Sequence, residues 1–159
     1  HFDVEPDIIV MGKGMGGGLP VGAFTSSHSL MKHFQDKPKL GHITTFGGNP
    51  VIAAASLATL RFLRDSKLIS QIEKKEALFK KELKHPQIKE IRGKGLMLAV
   101  IVKNEEMVDK IIEKCIKKGV LVFRLLWEKR ALRISPPLTI SVNEIKKGCT
   151  IIRQVLDSL

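Results

Sequence analysis

The sequence predicts an α/β fold, in which helices cover one face of a sheet in the second part of the chain. Short apolar runs alternate with segments of helical periodicity, and most helical segments begin at a residue that can cap a helix. The chain has 159 residues, of which 43% are hydrophobic and 27% are charged, so it can bury one substantial core. A break in the pattern near Asp65 divides the chain into residues 1–65 and residues 66–159.

Residues 1–65 are predicted to hold two strands and two helices. The predicted elements are a buried strand at 8–11, a strand at 21–26, a short helix at 28–34, a polar loop at 35–42 and a helix at 51–64. Ser27 can cap the short helix. Asn49 followed by Pro50 predicts the start of the longer helix, because asparagine accepts hydrogen bonds at the N-cap and proline suits the first helical position.

Residues 66–159 alternate between helices and strands. The predicted elements are a helix that Ser66 can cap and that runs to about Leu83, strands at 88–92 and 96–103 around a turn at 93–95, a helix at 105–118, strands at 120–123 and 131–134, and a helix that ends near Leu156. Asn104 can cap the helix at 105–118, and Gly119 can end it. Ser141 and Glu144 have the spacing of a capping box before the last helix.

The net charge of +11 allows two interpretations. One is a nucleic-acid or acidic partner. The other is a set of lysines on solvated helix faces, which we favour because the positive charges are spread and only 5% of the residues are aromatic. No apolar run reaches membrane-spanning length, because charges interrupt each one. We therefore expect neither a nucleic-acid partner nor a membrane partner.

The cysteines and histidines predict no metal site. Cys115 and Cys149 fall in predicted helices and are expected to be packed thiols rather than a disulfide. Two thiols without a disulfide framework fit a reducing compartment, so we expect a cytoplasmic protein. The five histidines and two cysteines lack the spacing of metal ligands, and no Ser/His/Asp nucleophile arrangement is visible.

The stretch from Pro6 to Pro20 is the most informative for chemistry. Its apolar run ends at Lys13, and four of the next five residues are glycine. A lysine that ends a core strand is costly unless its amine has a function, and glycines let the backbone approach a bulky group closely. The arrangement suits a lysine that forms a Schiff base with an aldehyde cofactor. The alternatives are a surface lysine or a phosphate-binding loop, although Gly12-Lys13 lacks the Ser or Thr of a Walker motif.

Two further stretches carry polar groups that suit anions. Thr44 and Thr45 precede a glycine pair and a helix start, and hydroxyls, free amides and a helix N-terminus all favour a phosphate. An ordinary capped helix after a turn is the alternative. Arg133 lies in a short apolar strand just before Ser135-Pro136-Pro137, where a fixed guanidinium can hold a carboxylate through two parallel hydrogen bonds. The alternative is a strand-edge arginine that reaches water.

Together and in this order, the three stretches resemble the class III aminotransferases, and most closely their acetylornithine and ornithine branch. The resemblance covers essentially the whole chain and implies the C-terminal part of a longer enzyme that uses pyridoxal 5'-phosphate (PLP). It implies that residues 1–65 close a fold-type I large domain and that residues 66–159 form the small C-terminal α/β domain. It also implies a homodimer with shared active sites.

The resemblance assigns a role to each candidate residue. Lys13 would bind PLP as a Schiff base and move a proton between substrate and cofactor, which needs a neutral amine sheltered from water. Thr45 would bind the PLP phosphate in the other subunit, with Thr44 as a weaker candidate beside it. Arg133 would bind the substrate α-carboxylate, and Arg124 and Arg130 are its rivals in sequence. His42, which could be taken for a catalytic base, is expected only to shape its loop.

The implied reaction moves an amino group from an ornithine or acetylornithine type of donor to 2-oxoglutarate, a 2-oxo acid. Another class III activity, on 4-aminobutyrate or diamines, is an alternative, and a non-catalytic basic interaction module is a second. In the family, the aspartate that keeps the pyridine nitrogen protonated, a ring-stacking aromatic residue and the first phosphate loop lie upstream. These 159 residues alone are therefore predicted to be inactive or nearly so.

Overall fold

The computed structural model describes residues 3–35 and 37–159, so Asp36 of the predicted loop lies outside the described residues. The chain divides into two compact units, His1–Ser66 (unit 1) and Lys67–Leu159 (unit 2). The division lies next to the break that the sequence pattern places near Asp65. Each unit combines helices with an antiparallel sheet.

Unit 1 is built on a two-stranded hairpin and one long helix. Its elements are β1 (Ile8–Gly12), a 3₁₀ helix (Lys13–Gly16), β2 (Gly22–Ser26), α1 (His28–Met31), a second 3₁₀ helix (Lys32–Phe34) and α2 (Pro50–Asp65). β1 and β2 are antiparallel, and their register runs from Ile8 opposite Ser26 to Gly12 opposite Gly22. The hairpin therefore places the start of the 3₁₀ helix, at Lys13, directly after the last paired residue of β1.

The predicted caps of unit 1 are present. The Ser27 hydroxyl accepts a hydrogen bond from the Leu30 amide, at 3.4 Å. The Asn49 carboxamide oxygen accepts from the amides of Val51 and Ile52, at 3.0 and 3.3 Å, and satisfies two donors that the first turn of α2 leaves free. These contacts confirm the predicted starts of both helices.

The predicted burial of β1 is wrong for this chain. Ile8 is 54% exposed and Val10 is 80% exposed. The physical reason is that β1 pairs only with β2, and among the described residues of unit 1 only Gly16 and Ser56 are buried. The strand pattern of the sequence was correct, but the covering layer that such an apolar strand needs is not formed by residues 3–35 and 37–66.

Unit 2 is a four-stranded sheet with three helices. Its elements are a 3₁₀ helix (Ile69–Gln71), α3 (Ile72–Glu82), β3 (Glu90–Lys94), β4 (Met97–Ile101), α4 (Glu105–Lys117), β5 (Phe123–Arg124), β6 (Ala131–Ile134) and α5 (Val142–Asp157). The strand order is β3-β4-β6-β5, and every neighbouring pair is antiparallel. The Asn104 cap on α4 and the Ser141–Glu144 capping box on α5 are both present, as predicted.

The core of unit 2 lies between one face of the sheet and the helices. Alternate sheet residues point into it, because successive side chains of a strand face opposite sides. The sheet contributes Leu98, Val100, Leu132 and Ile134, and the helices contribute Phe79, Val108, Ile111, Cys115, Ile145, Cys149 and Ile152. Both cysteines are free and buried, which confirms the prediction of packed thiols. No helix of the described residues combines the length and apolarity needed to cross a bilayer.

Two of the element boundaries predicted for residues 66–159 are wrong. Ser66 does not cap α3, whose N-cap is Gln71; it is instead the C-cap of α2, where its amide donates to the Phe62 carbonyl and its hydroxyl donates to the Leu63 carbonyl. α3 begins only at Ile72. The strand predicted at 120–123 is reduced to Phe123–Arg124, because the Val120 amide donates to the Cys115 carbonyl and completes the C-terminus of α4.

The turn between β3 and β4 also differs from the expectation. β3 continues through Lys94, so Gly93 lies inside the strand rather than in the turn. Gly93 has a φ of +118°, and a Cβ atom there would lie 2.1 Å from the Met97 carbonyl oxygen. Only glycine fits this close approach of the two strands.

Candidate active site

Lys13 starts the 3₁₀ helix that follows β1. Its backbone has a φ of +52°, which is uncommon for a residue with a side chain and is often found at functional positions. Its side chain is exposed, whereas the sequence suggested a sheltered amine. α2 packs against the 3₁₀ helix, but no described residue of unit 1 covers the Lys13 side chain.

The glycines after Lys13 make two close backbone contacts. Gly16 is buried, and a Cβ atom there would lie 2.9 Å from Cγ1 of Val21. Gly17 has a φ of +60°, and a Cβ atom there would lie 2.4 Å from the Thr59 hydroxyl of α2. Side chains at these positions would therefore displace the loop from β2 and from α2. The glycines fix the backbone that carries Lys13 against the long helix.

The Lys13 amine has no partner among the described residues. Across residues 3–35 and 37–159, no carboxylate or hydrogen-bond acceptor holds its Nζ atom. By contrast, the Lys80 amine is bonded to Glu76 and the Lys117 amine to Glu113, each at 2.6 Å. A primary amine without a partner, held by a constrained backbone, fits an aldehyde such as that of PLP.

Thr44 and Thr45 lie in a turn just before α2. The Thr44 carbonyl accepts from the Gly47 amide at 3.1 Å, and the Phe46 carbonyl accepts from the Asn49 amide at 3.2 Å. Both threonines are exposed, and neither hydroxyl has a hydrogen-bond partner among the described residues. Two free hydroxyls near the N-terminus of a 16-residue helix fit a phosphate group.

His42 belongs to the same loop. Its ring lies edge-on to Phe34, with 6.5 Å between the ring centroids, and Phe34 in turn contacts Phe24 at 6.0 Å. The histidine thus helps to shape the loop that precedes the threonines, as expected from the sequence.

The three arginines of the β5–β6 region differ in their partners. Arg124 forms ion pairs with Glu105 and Asp109. Arg130 is paired with Glu128 at 2.8 Å, and its hydrogen bonds lower the pKa of that carboxyl to about 2. Arg133, in β6, has no carboxylate partner within the part of the chain that the structure describes. Of these three arginines, only Arg133 has a guanidinium that is not paired with a carboxylate and can therefore donate hydrogen bonds to the carboxylate of a ligand.

A cavity of about 560 Å³ lies within unit 2. Arg133 and Phe123 form part of its wall, and so do Ser135-Pro136-Pro137, the residues that follow Arg133 in the chain. Much of the remaining wall is apolar, and two more cations, Lys118 and Lys147, and one carboxylate, Glu144, also line it. The cavity therefore offers apolar surface together with positive charge.

Lys75 is a buried polar residue near the cavity-wall segment that the sequence analysis did not identify. It is only 6% exposed, and its Nζ atom donates a 2.6 Å hydrogen bond to the Leu138 carbonyl. The bond ties α3 to the chain that follows the two prolines of the cavity wall. The spacing to Ile72 and Phe79 could have revealed it, because residues three and four apart share one face of a helix.

The described residues thus combine an α/β fold with an amine at Lys13, hydroxyls at Thr44 and Thr45 and a guanidinium at Arg133 that have no carboxylate or hydrogen-bond partner. The chain belongs to the class III aminotransferase family, whose model, described as aminotransferase class-III, matches residues 1–156. This result confirms the family predicted from the three sequence stretches.

The chain is similar to other aminotransferases, and three of them illustrate the degree of similarity. Acetylornithine aminotransferase of Haemophilus ducreyi is 36% identical over 159 residues, which are 100% of this chain and 39% of that protein. The solved ornithine aminotransferase of Toxoplasma gondii, whose description notes partial PLP occupancy at its active site, has a TM-score of 0.85 and 32% identity, over 98% of this chain and 37% of that one. The solved acetylornithine aminotransferase of Elizabethkingia anophelis has a TM-score of 0.87 and 29% identity, over 99% of this chain and 40% of that one.

The likeness to these structures confirms the predicted α/β fold of a PLP-dependent aminotransferase. The chain spans about 40% of the length of the relatives that it matches. It therefore corresponds to part of such an enzyme, as the sequence resemblance implied.

Proposed function

We propose that this chain is part of a PLP-dependent transaminase that moves an amino group from an ornithine or acetylornithine type of donor to 2-oxoglutarate. The observation that carries the proposal is the unpartnered Lys13 amine at the end of β1, on a backbone with a φ of +52°, in a chain of the class III family. The names of the similar acetylornithine and ornithine aminotransferases support the choice of donor.

In this proposal, the residues of unit 1 hold the cofactor. PLP, when bound, supplies the electron sink for the bond changes at the substrate α-carbon. The Lys13 Nζ atom would hold the cofactor covalently, then be released by the substrate amine and carry a proton to and from that carbon. The Thr45 hydroxyl, with Thr44 beside it, would donate hydrogen bonds to the phosphate, and the N-terminus of α2 would add its positive dipole.

Arg133 would hold the substrate. Its guanidinium can donate two parallel hydrogen bonds to the α-carboxylate, which fixes the orientation of the α-carbon. Arg124 and Arg130 are less suited to this role, because each is already paired with a carboxylate.

The assembly and location are part of the same proposal. Unit 1 would close the large PLP-binding domain, unit 2 would be the small domain, and two copies would share active sites, with Thr45 acting across the interface. The exposed apolar residues of β1 are consistent with burial against further protein. The two free thiols fit the reducing conditions of the cytoplasm, where we place the protein.

Covalent trapping on Lys13 tests the proposal. The full-length enzyme that contains this chain would be loaded with PLP, reduced with borohydride, digested and analysed by mass spectrometry. We expect the cofactor adduct on Lys13, no adduct in Lys13→Ala, and an unchanged adduct in Lys32→Ala, an exposed lysine of the same unit. An adduct on another lysine, or none in the wild-type protein, would contradict the assignment.

A donor panel tests the substrate. Acetylornithine, ornithine, 4-aminobutyrate and a diamine would be compared by kcat/KM, with 2-oxoglutarate as the acceptor. We expect the first two to be preferred, and preference for either of the others would leave the transaminase class intact but replace the donor. The 159-residue chain alone should show no turnover with any of them.

A basic interaction module is the competing class. Some cations pair with carboxylates, as Arg92 does with Glu90 and Arg124 with Glu105, so these side chains are less available to a polyanion. Salt-sensitive binding of nucleic acid by a protein that takes up no PLP would favour the module instead.

A further inference from the structure

Arg133 lies in a row of side chains across the open face of the unit 2 sheet. The strand registers place Arg92 opposite Ala99, Ala99 opposite Arg133, and Arg133 opposite Phe123. Directly opposite residues of neighbouring strands share one face, with Cβ atoms about 5 Å apart. The row therefore lies on the face that points away from the core residues Leu98 and Ile134.

Phe123 is stacked on Arg133. The Cζ atom of Arg133 lies 5.0 Å from the centroid of the Phe123 ring, within the range of a cation–π contact. Phe123 is 52% exposed, so only part of its ring packs against other residues of the described chain. On the other side of Arg133, Ala99 has a single methyl group and leaves the guanidinium room.

The cation–π contact holds the guanidinium without a hydrogen-bond acceptor. An aromatic ring contacts the flat face of a guanidinium, whereas the N–H donors lie in the plane at its edge. An acidic partner, such as Glu128 beside Arg130, would occupy those donors. Of the two ways to hold an arginine, only the contact with the ring brings no acceptor that competes with a ligand carboxylate for the N–H donors.

We propose that Phe123 is a positioning residue for carboxylate binding by Arg133. The inference rests on the proposed function, in which Arg133 holds the substrate carboxylate. Phe123 does not contact the reacting atoms; it restricts the orientation of the guanidinium, so that a bidentate contact forms with less loss of side-chain freedom. A residue that only fills the cavity wall would affect stability and leave this orientation unchanged.

Kinetics of the full-length PLP-loaded enzyme test the proposal. Phe123→Leu keeps an apolar side chain but removes the ring, and we expect KM for 2-oxoglutarate to rise about two- to five-fold, the range of an exposed cation–π contact, with kcat little changed. Phe123→Tyr keeps the ring and should retain the wild-type KM. Trp127→Ala is the matched control, because Trp127 is 97% exposed in the same β5–β6 region and is not stacked on Arg133.

A measurement without cofactor separates orientation from stability. In the isotopically labelled 159-residue chain, the Nε–Hε resonance of Arg133, assigned with Arg133→Lys, should carry a ring-current shift from Phe123. The shift should be lost in Phe123→Leu and kept in Phe123→Tyr. An unchanged resonance in Phe123→Leu would overturn the proposal.

The kinetic outcomes distinguish this proposal from the proposed function. If Arg133→Gln raises KM strongly while Phe123→Leu behaves as Trp127→Ala does, the positioning role is wrong and the carboxylate role of Arg133 stands. If Arg133→Gln leaves KM unchanged, the carboxylate role itself is wrong, and the positioning role fails with it. If Phe123→Leu does not fold, as judged by circular dichroism, Phe123→Ile and Phe123→Tyr provide the same comparison.

Discussion

At the scale of single residues, Lys75 shows how a buried charge can hold a loop. Pro136 and Pro137 have no amide N–H, so the segment after β6 has few backbone donors of its own. The Lys75 ammonium, on α3, reaches this segment and bonds to the Leu138 carbonyl. A lysine is rarely buried without such a partner, because its desolvation is costly.

We expect Lys75→Ala to destabilise the protein by about 1–3 kcal/mol, since it leaves the Leu138 carbonyl without its donor. The measurement is the free energy of unfolding from urea titration. Lys74→Ala is the matched control, because Lys74 is the exposed neighbour on the same helix, and a change within about 0.5 kcal/mol is expected. Equal effects of the two substitutions would show that the hydrogen bond contributes nothing measurable.

The buried thiols predict that the stability of the folded protein falls at alkaline pH. Desolvation raises the pKa of Cys115 from 9.0 to about 11 and that of Cys149 to about 12, although Lys118 and Arg153 oppose these shifts. Because the pKa of each thiol is higher in the folded state, the stabilising contribution of the two neutral thiols is fully present below pH 9.0. It is lost as the pH rises through about 11 for Cys115 and about 12 for Cys149.

Both thiols should therefore be unreactive in the native protein at pH 8, since the thiolate is the nucleophile. The measurement is the rate of reaction with Ellman's reagent, and full reaction of two thiols is expected in denaturant. Native-state reaction at the rate of a free thiol would show that one of the helices opens readily.

At the scale of elements, two glycines of unit 2 have opposite effects on stability. Gly93 allows β3 and β4 to approach closely, with a φ of +118°. Gly148 lies in the interior of α5, and a Cβ atom there would meet no atom within 4 Å. A helix-interior glycine is less favourable than alanine because it loses more backbone freedom on folding.

Alanine at the two positions should have effects of opposite sign. Gly93→Ala should destabilise the protein by about 1–3 kcal/mol or more, because the new methyl group meets the Met97 carbonyl and the backbone is strained. Gly148→Ala should stabilise it by roughly 0.5–1 kcal/mol. Thermal unfolding of both variants is the measurement, and a loss of stability in Gly148→Ala would contradict the open space around that residue.

The elements also show what local sequence signals can predict. Asn104, Ser141 and Asn49 were sufficient to place helix starts, because a cap uses only neighbouring atoms. Ser66 was misassigned because a serine between two helices can serve either one, and here it is the C-cap of α2. Propensity alone does not decide between two such local solutions.

At the scale of the whole molecule, burial was harder to predict than secondary structure. The apolar run at Ile8 to Met11 identifies a strand, but whether it is covered depends on residues distant in sequence. The same limit applies to the site. The motifs identified Lys13, Thr45 and Arg133 as candidates, whereas the free state of Arg133 depends on which carboxylates reach Arg124 and Arg130. These ion pairs depend on how the helices and strands pack together, and no local sequence pattern predicts them.

The distribution of the core predicts that the two units differ in their ability to fold alone. All the buried hydrophobic residues of the described chain lie between Phe79 and Leu156, within unit 2. Unit 1 leaves large apolar side chains exposed, including Val10 at 80% and Phe46 at 76%. Since apolar burial is the main favourable contribution to folding, residues 67–159 have a source of stability that residues 1–66 lack.

We therefore expect residues 67–159, expressed alone, to unfold cooperatively in urea, and residues 1–66 to show no cooperative transition. Circular dichroism and amide hydrogen exchange are the measurements, with protection concentrated in α4, β4 and α5. A matched control is Ile111→Ala in the isolated unit 2, which should lower its stability by about 2–5 kcal/mol because Ile111 is fully buried. Cooperative unfolding of residues 1–66 alone would show that the hairpin and α2 are stable without a covering layer, and the exposed apolar residues of β1 would then no longer support burial against further protein.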